Sequence, residues 1–247
     1  MNHRQIKTLP NIQALNQAAA NEFLRCAQNA IATRGRFSIA LSGGNTPRGA
    51  YEAIAERQKD YSSQLPWDKI FIFWGDERHV PPDHPDSNYR MSRESLLSKI
   101  PIPAQNVHRV RAELDAAEAA QDYARQMQNH FNLKPNELPR FDLIMLGLGD
   151  DGHTASLFPG SAALGETQHV FVANWVEKFK QYRLTLTLPV LNHAAEVLFL
   201  VSGGGKAPVV RDILSPHSEQ KYPARCVQPE AGALLWLLDQ DAANLLK

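Results

Sequence analysis

The chain of 247 residues contains only two cysteines, Cys26 and Cys226, and neither shares a ligand-like spacing with a histidine or with the other. A disulfide-stapled scaffold is thereby excluded, and two free thiols in a reducing, cytoplasmic setting are expected. An excess of either charge is also lacking. The 26 Lys and Arg balance the 26 Asp and Glu, for a formal net charge of zero, so neither nucleic acid nor a membrane surface is expected as a partner. No apolar run approaches the length of a bilayer span. The first fifteen residues have no continuous apolar stretch and no small-residue cleavage pattern, so they do not read as a secretory leader. Repeats, low-complexity tracts and long linkers are missing as well, and a single domain over 1–247 is the expectation. What is present is ordinary globular composition, 43% hydrophobic and 21% charged, at a length near the upper limit for one core.

Helical and extended periodicities alternate along the chain, the pattern of an α/β protein with a mostly parallel sheet. A helix is expected over 11–34, with Ile12, Leu15, Ala19, Phe23, Ala27 and Ala30 on one stripe and Gly35 as its stop. A short buried strand follows at 37–41. Thr46 is then the expected N-cap of the next helix and Pro47 its first residue. A strand over 69–74, a proline-rich loop over 79–88 and a helix capped by Asp86 or Ser87 come next. Further on, a helix over 113–131, strands at 141–146, 169–173, 183–188, 196–202 and 234–238, and a helix over 206–214 complete the expectation. Near-continuous apolar strands imply a sheet covered on both faces. In such sheets ligands gather beyond the carboxyl ends of the strands.

Polar turns follow several of these strands. In Ser42-Gly43-Gly44-Asn45-Thr46-Pro47 glycines let backbone amides approach an anion at a helix N-terminus, and a phosphate is the natural guest; an ordinary tight turn is the plainer alternative. Ser202-Gly203-Gly204-Gly205-Lys206 is not a Walker loop, because Leu200 and Ala207 stand at two of its required positions. A lysine at a helix start is unfavourable unless an anion offsets it, so Lys206 is a second expected phosphate contact. Gly147-Leu148-Gly149-Asp150-Asp151-Gly152 matches a dinucleotide fingerprint by letter only, since two carboxylates inside the loop would repel a pyrophosphate. Its informative residues are Asp151 and His153, a carboxylate beside an imidazole that can act as a general base. Arg78, after the 69–74 strand, suits bidentate binding of phosphate or carboxylate. Ser42 lies within one residue of a serine-hydrolase elbow, although the string after it looks built for an anion rather than a nucleophile. Asp76, Glu77, His79, Asp83, His84 and Asp86 fit no zinc spacing, and no metal is expected.

Taken in order, Ser42–Pro47, Trp74–Arg78, Pro81–Tyr89, Gly147–Gly160, Arg183–Pro189 and the closing Val227-Gln228-Pro229 before Trp236–Asp239 resemble the 6-phosphogluconolactonases of the glucosamine-6-phosphate isomerase/6-phosphogluconolactonase family over nearly the whole chain. The resemblance implies hydrolysis of 6-phospho-D-glucono-1,5-lactone to 6-phosphogluconate in the oxidative pentose phosphate pathway. It also implies an α/β/α fold akin to glucosamine-6-phosphate deaminase and ribose-5-phosphate isomerase, no cofactor, and a small-molecule substrate; a monomer or weak homo-oligomer is expected. Matched to the family's motifs, His153 and Asp151 are the expected catalytic pair. Ser42, Gly43, Gly44, Asn45, Thr46, Asp76, Arg78, Arg183 and Lys206 are the expected substrate and phosphate contacts. Two departures stand out: Asn45 where Ser is common, and Asn174–Tyr182 in place of a proline-rich approach to Arg183. A deaminase would carry Gly-His-Ile-Ala-Phe-Asn where this chain has Gly152-His153-Thr154-Ala155-Ser156-Leu157. A catalytically silent sugar-phosphate sensor is the rival of another class; the intact Asp151 and His153 argue against it.

Overall fold

The computed structural model describes residues 4–61, 65–215 and 222–246. Among these residues nine strands form two sheets. The larger contains β1 (Arg4–Leu9), β2 (Phe37–Leu41), β3 (Ile70–Trp74), β5 (Leu143–Leu146), β8 (Glu196–Val201) and β9 (Ala233–Asp239), all parallel, in the order β1-β9-β8-β5-β2-β3. The smaller is antiparallel, β4 (Asp76–Arg78), β7 (Gln181–Leu186) and β6 (Phe171–Val176) in that order. The helices are α1 (Ile12–Arg34), α2 (Asn45–Tyr61), α3 (Asn88–Ser95), α4 (Ala116–Phe131), α5 (Leu188–His193), α6 (Ala207–Leu214) and α7 (Gln240–Ala243).

Strand register assigns the layers. Phe37 and Ile70 point to one face, and there Phe23 of α1 meets Phe37 edge-on at 5.5 Å. Ala40 and Phe73 point to the other, where Tyr123 and His130 of α4 pack on Phe73. Because both faces are covered, every residue of β2, β5 and β8 is buried, in keeping with sequences that are apolar apart from Ser38 and Glu196. No helix of the described residues is long and apolar enough to cross a membrane.

The ends of α1 follow the expected chemistry: the Asn11 side chain accepts from Ala14 N–H, and Gly35 closes the helix at φ 74°. Ser87 caps α3 by accepting from Arg90 N–H. Other expectations are corrected. Thr46 is not a cap: Gly44, at φ 106°, turns the chain two residues earlier, its carbonyl accepts from Arg48 N–H, and Asn45 opens the helix. The 113–131 helix begins at Ala116, where Asp115 supplies the side-chain acceptor. The 141–146 strand starts at Leu143, and 183–188 divides into β7 and α5. Strands β1 and β4 were not expected at all. The sequence of β1, Arg-Gln-Ile-Lys-Thr-Leu, is polar because it is an exposed edge strand, while β4 is three residues long and takes its identity from pairing with β7.

Candidate active site

From β2 the chain steps to β3 on one side, whereas β5, β8 and β9 build outward on the other, so the strand order reverses between β2 and β5. Loops diverging at such a point leave a crevice at the strand carboxyl ends. Here it is a cavity of about 480 Å³ lined by Ser42–Pro47, Asp76, Arg78, Gly147–Gly149, His153–Ala155, Leu200–Ser202 and Lys206. The expected site residues Ser42, Gly43, Gly44, Asn45, Thr46, Asp76, Arg78, His153 and Lys206 all line it; Asp151 and Arg183 do not. A roomier, open groove of about 840 Å³ along α4 and β6 contains none of them.

The wall after β2 is held from behind. Ser42 N–H donates to the Tyr51 hydroxyl (2.8 Å), and that hydroxyl donates back to the Ser42 carbonyl (2.9 Å). Tyr123 does the same for Trp74 at the end of the neighbouring strand β3, at 2.6 and 3.1 Å. Where the ladder has ended, a buried phenol satisfies both backbone groups. The Ser42 hydroxyl itself is buried with no hydrogen-bond partner, a group that a ligand oxygen would satisfy. Gly43 has no alternative, because a Cβ there would stand 1.9 Å from Asn88 Oδ1. Thr46 reaches across to Ser202 at 2.8 Å, tying the β2 loop to the β8 loop.

The wall from β4 rests on two buried carboxylates. Asp76 accepts from the Ser156 hydroxyl at 2.6 Å, and its carbonyl accepts from Asn88 Nδ2 at 2.9 Å. Glu77, 2% exposed, accepts from the amides of Arg78, Asn88 and Tyr89 and from the Ser87 hydroxyl. Burial pushes its carboxyl up to about 7 against those amide donors. Glu77 thus fastens the start of α3 to the strand that carries Arg78. Arg78 sits directly opposite Arg183 in the β4–β7 ladder. Arg78 donates to the Asp86 carbonyl and Arg183 to the Gln181 side chain, so neutral acceptors are what the two cations hold. Burial, then the Arg78 charge, pulls the Arg183 guanidinium below its ordinary value. Two like charges placed opposite one another favour an anion between or beside them. Lys206 differs, since its ammonium already contacts the Asp150 carboxylate.

The third wall is the turn after β5. His153 Nδ1 lies 2.5 Å from Asp151 Oδ1, which also accepts His153 N–H at 3.2 Å. A carboxylate only accepts, so Nδ1 carries a proton, and in the neutral ring Nε2 is then the nitrogen with the free lone pair. Burial works against the Asp151 charge, but the His153 hydrogen bond and charge, then Lys178, hold this carboxyl below its usual range. The imidazole stacks on Phe158 at 4.2 Å. Gly149 is required beneath the ring, because a Cβ would fall 2.0 Å from Nδ1. No helix follows the Gly147–Gly152 turn; its glycines serve the histidine rather than a pyrophosphate.

A family model described as glucosamine-6-phosphate isomerases/6-phosphogluconolactonase matches residues 10–236. The chain belongs to this family. Within the family it is 45% identical, over 98% of both chains, to a 6-phosphogluconolactonase of Synechocystis sp.. Its structure superposes on the 6-phosphogluconolactonase from Trypanosoma cruzi with a TM-score of 0.87 and 29% identity, covering 100% of this chain and 98% of that one. A monomeric glucosamine-6-phosphate deaminase aligns at a TM-score of 0.79 and 19% identity, over 98% of this chain and 99% of its own, a likeness of fold. Sequence reasoning had no role for Tyr51, Glu77, Asn88, Ser156, Phe158 or Lys178. Glu77, Asn88, Ser156 and Phe158 lie inside strings that carry the family resemblance, and Lys178 lies in the stretch that departs from it. Tyr51 has no such signal.

Proposed function

We propose that the protein hydrolyses 6-phospho-D-glucono-1,5-lactone to 6-phospho-D-gluconate, the lactone-opening step of the oxidative pentose phosphate pathway, by general-base activation of water. The observation that carries this reading is the Asp151–His153 pair, with Nε2 left basic on a cavity wall that also presents Arg78 and an unpaired serine hydroxyl. His153 Nε2 takes a proton from water as the oxygen attacks C1 of the lactone. Asp151 stabilises the imidazolium that forms. Collapse of the tetrahedral intermediate breaks the bond from C1 to the ring oxygen, and the imidazolium returns its proton to that oxygen. In the Gly147–Gly152 turn the Gly149 and Gly152 amides already donate to carbonyls, so the Leu148 amide on the cavity lining is the donor we assign to the oxyanion; Arg183 stands outside the lining and donates to Gln181. The phosphate end is held by the Ser42 hydroxyl, the Gly43–Thr46 amides, Arg78 and Lys206, which fixes the ring over the base. The reaction as written uses no metal or cofactor. Free Cys26 and Cys226 suit a reducing cytoplasm.

A coupled assay with freshly generated 6-phosphogluconolactone, corrected for spontaneous opening, tests the reading directly. Arg78→Ala is expected to raise KM by about 10–100-fold, the worth of one charge-assisted hydrogen bond, with kcat within a few-fold of the parent. Lys206→Ala should raise it less, because Asp150 already occupies that ammonium. Against unphosphorylated gluconolactone both variants should match the parent; equal losses there would mean that they do not hold phosphate. Ser42→Ala should keep most of its kcat, and a trapped acyl-enzyme on Ser42 in the parent would instead make it the nucleophile.

A further inference from the structure

The hairpin joining β6 to β7 reaches the catalytic pair from outside the cavity. Its tip, Glu177–Phe179, is closed by Lys180 at φ 47°, whose N–H donates to the Glu177 carbonyl at 3.2 Å. Trp175 Nε1 braces the tip by donating to Glu177 Oε2 at 2.9 Å. From this tip Lys178 Nζ comes within 3.3 Å of Asp151 Oδ2, the oxygen that His153 does not use. Next to it, Phe179 meets Phe158 edge-on at 5.8 Å, and Phe158 is the ring on which His153 stacks. Cation, carboxylate and imidazole thus form one line, with aromatic packing beside it.

We propose that Lys178 is a positioning residue for the hydrolysis: by holding Asp151 Oδ2 it keeps Oδ1 aimed at His153 Nδ1 and so keeps Nε2 facing the substrate. The proposal rests on the reading of His153 as the base. An exposed lysine contributes little to stability through one ion pair, so its effect belongs in the pH profile rather than in the melting curve. The other charged groups around the pair are Asp150 and Lys206, in contact with one another, Asp76 and Arg78 on the cavity wall, and Arg183 over Phe179; Tyr222 packs on Gly152. Among the described residues Lys178 is the one lysine or arginine that touches Asp151. Its positive charge, one carboxylate away, disfavours the imidazolium, and removing it favours protonation.

The test is kcat and kcat/KM against pH for Lys178→Met and Lys178→Arg, with 6-phosphogluconolactone and spontaneous opening subtracted. Lys178→Met is expected to move the acid limb up by about 0.3–1 pH unit and to lower kcat several-fold, with parent-like KM and Tm. Lys178→Arg should restore both limb and rate. A Met profile that superimposes on the parent's, or an Arg variant as impaired as Met, overturns the proposal. If the limb is present in the parent, lost in His153→Gln and unmoved in Lys178→Met, the base reading stands and the role of Lys178 falls. A limb that survives in His153→Gln removes the base reading and this proposal with it.

Discussion

His153→Gln is expected to fold normally, to bind 6-phosphogluconate like the parent, and to lose about 10²–10⁴-fold in kcat, the usual worth of a positioned general base. Gln places its amide near the Nε2 position, polar enough to keep the site wetted, but offers no nitrogen that takes a proton. The parent kcat/KM should fall on acidification as the base is protonated, and the variant should lack that limb. A histidine that merely filled space would give the opposite pattern, a lowered Tm with turnover per folded molecule intact. Measuring the melt, product binding and the rate on one preparation separates the two; a folded variant with near-parent kcat would remove the mechanism's centre.

Tyr51→Phe should show the largest effect on stability. The phenol serves two buried backbone groups of Ser42 at once, and each left unsatisfied costs about 1–3 kcal/mol. A loss of about 2–4 kcal/mol is expected, equivalent to roughly 5–15 °C in Tm at this chain length. Because the residue so held begins the phosphate loop, KM for the phosphorylated lactone should rise while KM for gluconolactone stays put. Burial also raises the Tyr51 and Tyr123 phenols well above their ordinary values. In the unfolded chain they ionise near pH 10, so above that pH the folded state binds more protons than the unfolded one and stability falls as pH rises. Urea titrations at neutral and alkaline pH check the sign: the parent should lose more on alkalinisation than Tyr51→Phe does. An unchanged midpoint for the variant at neutral pH would mean that water replaces the phenol.

How far the sequence carried can be read from individual residues. The strands that hold the site were legible because burial on both faces demands near-continuous apolar runs, and the turns after them because glycines and carboxylates cannot continue such runs. Asp151 and His153 were legible because they are two residues apart and meet directly. Glu77 drew notice as a candidate metal ligand, yet its oxygens serve the amides that open α3, and nothing in its neighbours' identity says where those amides lie. Tyr51 stands among the small and apolar residues of α2 with nothing beside it to set it apart. That its hydroxyl returns to a backbone nine residues earlier depends on how α2 folds over β2, which no local pattern encodes. Thr46 has the chemistry of a cap, but the left-handed step at Gly44 starts the helix before it. Lys178 reaches Asp151 only because the β6–β7 hairpin lies over the loop after β5.

Strands β1 and β9 pair residue for residue, Arg4 with Leu234 through Leu9 with Asp239. On a ribosome adding about 5–20 residues per second, β1 therefore waits roughly 10–50 s for the strand it pairs with. It can wait safely: Arg4, Gln5, Lys7 and Thr8 keep it wettable while it is alone. The opposite holds for β9, whose Leu234–Leu238 run is fully buried and would present an open, apolar edge to other chains until β1 docks. The strand that the sequence hid best is thus a built-in cover, and during biogenesis the hazard of sticking to a neighbour falls on the short interval between the emergence of β9 and its capture by a strand made long before.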